Sequence, residues 1–251
     1  MIEPKHFKKT IEDEVKRNIS GKKKIYLIET LRQKLTDYPS NPTNINLDNV
    51  KAVDETAFQR AILNKGETSL KSQSGKKYKV NWFDGELPVI FGKLARRKCV
   101  DLIGKTDSRM IICELKFMKK TAKSSSYSPM YALLQLLIYY YFIKTNCKEL
   151  DKQEIHHKNT KGKFKWENFI SQTPLLIVVA NKKYWDYWIE GKRREKDKQN
   201  CFDLIKHLKS ELKLTNNLLL FKTPDEDFHC HKGKYKPQLK SGMSKQWVEI
   251  S

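Results

Sequence analysis

The N-terminal quarter of the chain repeats apolar residues at helical spacing. Residues 3–19 and 22–37 each place apolar side chains three or four positions apart, which predicts two amphipathic helices. Residues 38–49 are rich in Pro and Asn and interrupt this pattern. We therefore predict an N-terminal helical element over residues 1–47, followed by a further helix over residues 48–64.

The middle of the chain changes to short apolar runs that are typical of strands. These runs are residues 78–83, 87–92, 98–104 and 109–117. Residues 128–146 are apolar on almost every side, which predicts a buried helix. Residues 174–181 lack alternation, which predicts a strand buried on both faces, and residues 217–222 predict one more strand.

Two segments carry no regular pattern. Residues 65–77 are polar and contain Gly and Ser, so we expect a loop there. Residues 223–251 are also polar, and we expect an irregular C-terminal tail. The order of elements predicts one α/β domain over residues 48–222, with helices on both faces of a mixed sheet.

Lysine and arginine total 50 against 29 acidic residues, which gives a net charge of +21. Codon bias can enrich lysine, but it would enrich glutamate as well, so the excess favours a polyanionic partner such as nucleic acid. No apolar run reaches the length of a membrane span, and the polar N-terminus lacks the apolar region of a signal peptide. We expect a cytoplasmic protein that makes no membrane contact.

Two carboxylates interrupt the two most strand-like runs, at Asp101 and Glu114. If the intervening turn centres on Asp107 and Ser108, the paired residues have indices that sum to about 215, and Asp101 lies opposite Glu114. Opposed residues share a face of the sheet, with Cβ atoms ~5 Å apart. Lys116, two residues after Glu114, shares that face as well.

Two acids this close repel each other unless a cation bridges them. Mg²⁺ and Mn²⁺ prefer oxygen ligands, and a neighbouring lysine can orient water and stabilise charge on a phosphate. These are the groups that phosphodiester hydrolysis needs. The alternative is an amphipathic strand whose acid and lysine form a solvent-exposed ion pair, but residues 111–113 run apolar without alternation up to Glu114.

The pattern "VD", followed thirteen residues after Asp101 by "ELK" at Glu114 to Lys116, resembles the PD-(D/E)xK nuclease superfamily. Val100 stands where the family has proline. The resemblance covers about residues 48–181. It implies a restriction-endonuclease-like fold, a Mg²⁺ or Mn²⁺ cofactor, and metal ligation by the two acids with Lys116 positioning the attacking water.

The resemblance extends to both flanking helices. Glu55, in "DETAFQRAIL", matches the glutamate that the family's first core helix often presents to the metal, and the Leu115 carbonyl is a further candidate ligand. Gln135 and Tyr139 are similar to the Gln-x-x-x-Tyr motif of RecB-type nucleases, where these residues help hold the DNA and order the site. The alternatives are a solvent-facing glutamate, a core tyrosine and a glutamine bonded to backbone.

Four basic residues near the predicted site are candidate phosphate contacts, namely Arg96, Arg97, Lys119 and Lys120. The sequence therefore predicts a metal-dependent deoxyribonuclease. A defence or mobile-element endonuclease and a RecB-like exonuclease both remain open, as do protein subunits of a larger nucleic-acid-processing system. A non-cleaving DNA-binding module and an RNA-directed nuclease are the alternatives to the deoxyribonuclease.

Overall fold

The computed structural model describes residues 7–20, 53–90, 98–125, 127–152, 165–191, 194–214, 217–224, 228–229, 237–239 and 246–250. Its helices are α1 (Phe7–Ile19), α2 (Glu55–Lys65), α3 (Pro129–Lys152), α4 (Trp166–Ser171), α5 (Lys182–Trp185), which continues into a π-helical turn (Asp186–Glu190), and α6 (Glu195–Glu211). Its strands are β1 (Glu67–Lys71), β2 (Lys77–Ile90), β3 (Lys98–Lys105), β4 (Met110–Lys116), β5 (Leu175–Asn181), β6 (Leu218–Thr223), β7 (Phe228–His229), β8 (Gln238–Leu239) and β9 (Trp247–Ile250).

The three helices predicted before the first strand are described in part. Helix α1 confirms the first, whereas residues 22–37 and 38–49 lie outside the described residues. Helix α2 confirms the third, and its ends follow from local chemistry. The Asp54 side chain accepts a hydrogen bond from Ala57 N at 3.1 Å, and Gly66 ends the helix at a φ of 73°.

Residues 65–77 do not form the expected loop, because β1 pairs with β2 as an antiparallel hairpin. Residues 78–83 and 87–90 also belong to the single long strand β2, which pairs with β3, whereas residues 91 and 92 lie outside the described residues. The pairing of β2 with β3 shifts register between Trp82 and Asp84 and again between Pro88 and Ile90.

Strands β3 and β4 form the predicted hairpin in the predicted register. Ile103 pairs with Ile112 and Lys105 pairs with Met110, so the indices sum to 215. The turn is closed by Thr106, whose backbone N–H donates to Arg109 O at 2.7 Å. Asp107 and Ser108 therefore form its tip, and the register that positions the two acids is confirmed.

Strands β5 and β6 confirm the strands predicted over residues 174–181 and 217–222, and they continue the sheet in parallel with β4. The carboxyl ends of β4, β5 and β6 thus meet at one edge. Helix α3 packs on the face of β4 that carries Ile112, and helix α2 packs on the opposite face, against Cys113 and Leu115. Helix α1 packs against α3 and α6, and its Ile11 is buried in the core cluster between α3 and the sheet.

The predicted restriction-endonuclease-like fold, an open mixed sheet flanked by helices, is wrong. Strand β9 pairs antiparallel with β6 and parallel with β1, so that the order β1-β2-β3-β4-β5-β6-β9 closes into a seven-stranded barrel. Trp247 of β9 is buried and lies 6.0 Å from Trp82, measured between ring centroids. The segment expected to be an irregular tail therefore supplies the strand that joins the two edges.

No helix in the described ranges is both long enough and apolar enough to cross a membrane.

Candidate functional site

The β3–β4 hairpin brings Asp101 to the strand that carries Glu114. Leu115 N donates to Asp101 Oδ2 at 2.7 Å, which holds the carboxylate against β4. On the other side, Gln59 Nε2 of helix α2 donates to the Asp101 backbone carbonyl. Asp101 is therefore fixed through both its side chain and its backbone, although it stays partly exposed to solvent.

Helix α2 adds a third carboxylate at its first residue. Glu55 Oε2 accepts a hydrogen bond from Phe117 N at 3.1 Å, directly after the end of β4. Its other oxygen, Oε1, lies 3.5 Å from Lys116 Nζ. The Glu55 side chain is 40% exposed, so the cluster opens to solvent on this side.

Lys116 Nζ is the centre of the cluster. It donates to Glu114 Oε1 at 2.6 Å and to the Leu115 carbonyl at 2.7 Å, in addition to its contact with Glu55. Both Lys116 and Glu114 are buried, so the alternative of a solvent-exposed ion pair is wrong. Three of the four predicted metal ligands thus contact one ammonium group.

The electrostatics of the cluster follow from burial and crowding. Burial raises the pKa of Asp101 to about 7, which Lys116 opposes and Glu55 reinforces. Burial and the neighbouring Asp101 raise the pKa of Glu114 well above its ordinary value. Burial alone would lower the pKa of Lys116, but Glu114, Glu55 and Asp101 together raise it well above its ordinary value.

The carboxylate oxygens of Glu114 and Glu55 and the Leu115 carbonyl lie within 3.5 Å of Lys116 Nζ, and oxygens of this kind are the ligands that Mg²⁺ prefers. Within the described ranges, no donor group reaches the buried Glu114 Oε2. With Lys116 Nζ among these oxygens, no group of three or more Asp, Glu, His or Cys side chains in the described ranges is arranged to hold a metal ion, this cluster included. Since Lys116 Nζ contacts Glu114, Leu115 and Glu55, a cation at these oxygens has to displace it.

Gln135 and Tyr139 lie on α3, next to the cluster. Gln135 Nε2 donates to Tyr139 Oη at 2.9 Å, so the amide is bonded to the tyrosine and not to backbone alone. Burial raises the pKa of Tyr139 well above its ordinary value, and Glu114 and Asp101 reinforce this shift. Because Tyr139 is only 1% exposed, it can support the site but cannot grip a nucleic-acid backbone.

The predicted phosphate contacts are placed in part. Lys119 and Lys120 are exposed in the segment after β4, beside the carboxyl edge of the parallel strands. Lys183, after β5, donates to the Lys120 carbonyl and ties the two segments together. Arg96 and Arg97 lie outside the described residues.

Three residues near the cluster were not predicted. Gln59 lies four positions after Glu55 on α2, so helical spacing could have identified it. The Asn181 side chain accepts a hydrogen bond from Met118 N and donates one to Met118 O, at 2.9 Å each. These two bonds join the end of β5 to the segment after β4. The ring of Tyr127 lies 5.9 Å from Lys116 Nζ. No sequence pattern indicates the last two contacts.

No model of a known protein family, no curated protein and no solved structure matches this chain. The resemblance to PD-(D/E)xK nucleases therefore stays a prediction that depends on the motif residues Asp101, Glu114 and Lys116.

Proposed function

We propose that this protein is a metal-dependent nuclease that hydrolyses phosphodiester bonds of DNA. The observation that carries the proposal is the contact of Glu114 and Glu55 with Lys116 at the end of a buried strand, with Asp101 hydrogen-bonded to the neighbouring Leu115 N. Burial raises the pKa of Asp101 and of Glu114, so ionising both acids is costly in the absence of a cation. A divalent cation at their oxygens would stabilise the ionised carboxylates.

The carboxylates of Asp101, Glu114 and Glu55, with the Leu115 carbonyl, would hold Mg²⁺ or Mn²⁺. When bound, such an ion supplies Lewis-acid polarisation of a phosphoryl oxygen. The hydrogen bond from Leu115 N keeps Asp101 in place, and Gln59 fixes its backbone. The site can therefore be ordered before substrate arrives, which lowers the cost of reorganisation.

Lys116 is the residue of this chain to which we assign a direct role in hydrolysis. Its pKa is raised by the acids around it, so at neutral pH it is a charged donor and not a general base. Once displaced from the acids by a cation, the ammonium can donate to a phosphate oxygen or orient the attacking water. Tyr139 and Gln135 pack beside the cluster and restrict its movement.

DNA is the proposed substrate because of the charge and the motif. The excess of basic residues supports binding to a polyanion, and the PD-(D/E)xK motif implies DNA cleavage. The products of DNA cleavage distinguish the two kinds of nuclease, a defence or mobile-element endonuclease and a RecB-like exonuclease. Internal cuts in circular DNA indicate an endonuclease, whereas dependence on free ends indicates an exonuclease.

The test is cleavage of circular, linear and single-stranded DNA, and of RNA, in Mg²⁺, Mn²⁺ or EDTA. We expect cleavage in Mg²⁺ or Mn²⁺ and none in EDTA. The rate of cleavage should fall at least ~100-fold in Asp101→Asn and in Lys116→Ala. Asp107→Asn is the matched control, since Asp107 is an exposed acid at the tip of the same hairpin. Equal activity in all three variants would contradict the proposal, and cleavage of RNA alone would change the substrate.

One observation favours a second candidate, a non-cleaving DNA-binding module. Lys116 already pairs with Glu114 and Glu55, so these acids are stabilised in part without a metal. A structural ion pair of this kind predicts tight DNA binding and no cleavage in either metal. The same assay therefore separates the two candidates.

A further inference from the structure

Helix α1 places a second lysine beside the carboxylate cluster. Lys8 Nζ lies 5.6 Å from the centre of the Tyr127 ring, and Lys116 Nζ lies 5.9 Å from the same centre. The two ammonium groups are therefore no more than about 11.5 Å apart, the sum of the two distances. The N-terminal helix thus reaches the neighbourhood of the site, although the site itself is built from residues 55–139.

The electrostatics of Tyr131 indicate the same proximity. Its ring packs against Tyr127, with 4.7 Å between the ring centroids. Burial raises the pKa of Tyr131, and the neighbouring Tyr127 raises it further. Of the charged groups nearby, Lys116 lowers this pKa, whereas Glu114 of the cluster and Glu12 of α1 raise it. Charges from the cluster and from α1 therefore meet at one side chain.

Lys8 is available to an outside anion. Its side chain is 57% exposed, and its ion pair with Glu12, 3.6 Å away, is a surface pair of the kind that contributes little. Helix α1 is held in place by other residues, with Ile11 fully buried in the same core cluster as α3. Lys8 can therefore bind a ligand, or be substituted, without a change in the packing of α1.

We propose that Lys8 binds the backbone phosphate next to the one bound by Lys116, so that α1 forms one wall of a nucleic-acid binding site. This inference rests on the proposed function for the position of the first phosphate. The ligand class is a polynucleotide strand, because a mononucleotide or a simple diester has no neighbouring phosphate to reach Lys8. Both lysines lie within 6 Å of the centre of the Tyr127 ring, so they flank the same aromatic side chain or share one side of it.

The first test measures binding in EDTA, where no hydrolysis occurs, by fluorescence anisotropy of a labelled oligonucleotide over a range of salt concentrations. A plot of the logarithm of the binding constant against the logarithm of the salt concentration has a negative slope. Loss of one phosphate contact makes this slope shallower by ~0.7–0.9. We expect this change in Lys8→Gln and not in Lys9→Gln, which removes an exposed lysine at the next position of the same helix. Glu12→Gln removes the carboxylate that competes for Lys8, so it should tighten binding.

Equal slopes in the Lys8 and Lys9 variants would overturn the inference. A second readout is hydrolysis of the oligonucleotide compared with bis(p-nitrophenyl) phosphate, which has a single phosphate. Lys8→Gln should raise KM severalfold more for the oligonucleotide than for the small diester, with little change in kcat. An equal rise for both substrates would mean that Lys8 acts through the structure, which also overturns the inference.

The two proposals fail in different ways. Binding that depends on Lys8, without hydrolysis in any divalent metal, contradicts the nuclease and leaves the phosphate contact supported. Metal-dependent hydrolysis that responds to Asp101→Asn but is the same in Lys8→Gln and Lys9→Gln supports the nuclease and overturns the role of Lys8.

Discussion

Lys116 Nζ lies 2.6 Å from Glu114 Oε1, and both side chains are buried at the end of β4. The ammonium is therefore the cation of the cluster in this structure. It contacts the same oxygens that a divalent ion would use, so ammonium and metal compete for them. This relationship makes the role of Lys116 testable apart from any cleavage assay.

Lys116→Met should bind Mn²⁺ more tightly than the wild type, because the competing ammonium is gone, while cleavage is lost. In EDTA the free energy of unfolding should fall by ~3–5 kcal/mol, since a buried carboxylate loses its partner. Calorimetric Mn²⁺ titration and urea denaturation measure both effects. Lys222→Met is the matched control, because its half-exposed pair with Glu190 should contribute less than ~1 kcal/mol. Weaker Mn²⁺ binding in Lys116→Met would contradict this account.

Gly85 allows Asp101 to approach β2 closely. A Cβ at position 85 would lie 2.7 Å from the Asp101 carbonyl oxygen and 2.8 Å from Leu63 Cδ1, so Gly85→Ala must shift the backbone of β2 or of β3, which carries Asp101. Gly104→Ala is the control, since its Cβ would meet a Trp82 ring carbon at the same 2.7 Å, away from the acids. Both variants should lose ~1–3 kcal/mol of stability. Only Gly85→Ala should bind Mn²⁺ more weakly, and an equal loss of affinity in both would argue against the placement of Asp101.

The raised pKa of Asp101 predicts a pH dependence of stability in EDTA. Burial raises this pKa from 3.8 to about 7 in the folded chain, so between these values the unfolded state ionises while the folded state keeps its proton. Stability is therefore lost as pH rises from about 4 to about 7. Asp101→Asn cannot ionise, so the wild type should lose stability relative to this variant over that range. Urea denaturation at pH 4.5 and 7.5 measures the difference, and a difference that is independent of pH would contradict the prediction.

Trp247 tests the closure of the sheet. Its side chain is fully buried against Trp82, so Trp247→Ala should lower the free energy of unfolding by ~3–5 kcal/mol. Val248, the next residue of β9, is 45% exposed, and Val248→Ala should stay within ~0.5 kcal/mol of the wild type. Thermal and urea denaturation measure both variants. Similar small effects would show that β9 does not hold the barrel closed.

The placement of Asp101, Glu114 and Lys116 close together was predictable from sequence because it depends on local geometry. The turn at Asp107 and Ser108 sets the pairing of β3 with β4, and pairing alone brings Asp101 to the strand of Glu114 and Lys116. The position of Glu55 followed from the motif resemblance and from the start of α2. The contacts of Tyr127 and Lys8 were not predictable, because they join segments whose packing no local pattern encodes.

The fold class was not predictable, for a related reason. Closure depends on β1 and β9, two strands of five and four residues with mixed polarity. Such segments carry too few apolar positions to show a period of two, so they resemble a loop and a tail. Their pairing in parallel, Leu70 with Trp247, joins residues that lie far apart in the chain. Long-range pairing therefore determines the closure of the sheet, which local propensity does not indicate.

The most direct test of the central claim is a crystal of the protein soaked in Mn²⁺ and measured at the manganese absorption edge. We predict one anomalous peak about 2.0–2.3 Å from oxygens of Asp101 and Glu114, with Lys116 Nζ moved away from Glu114. A map without a peak at Asp101, in which Lys116 still contacts Glu114 and Glu55, would contradict the claim that this cluster is a metal centre.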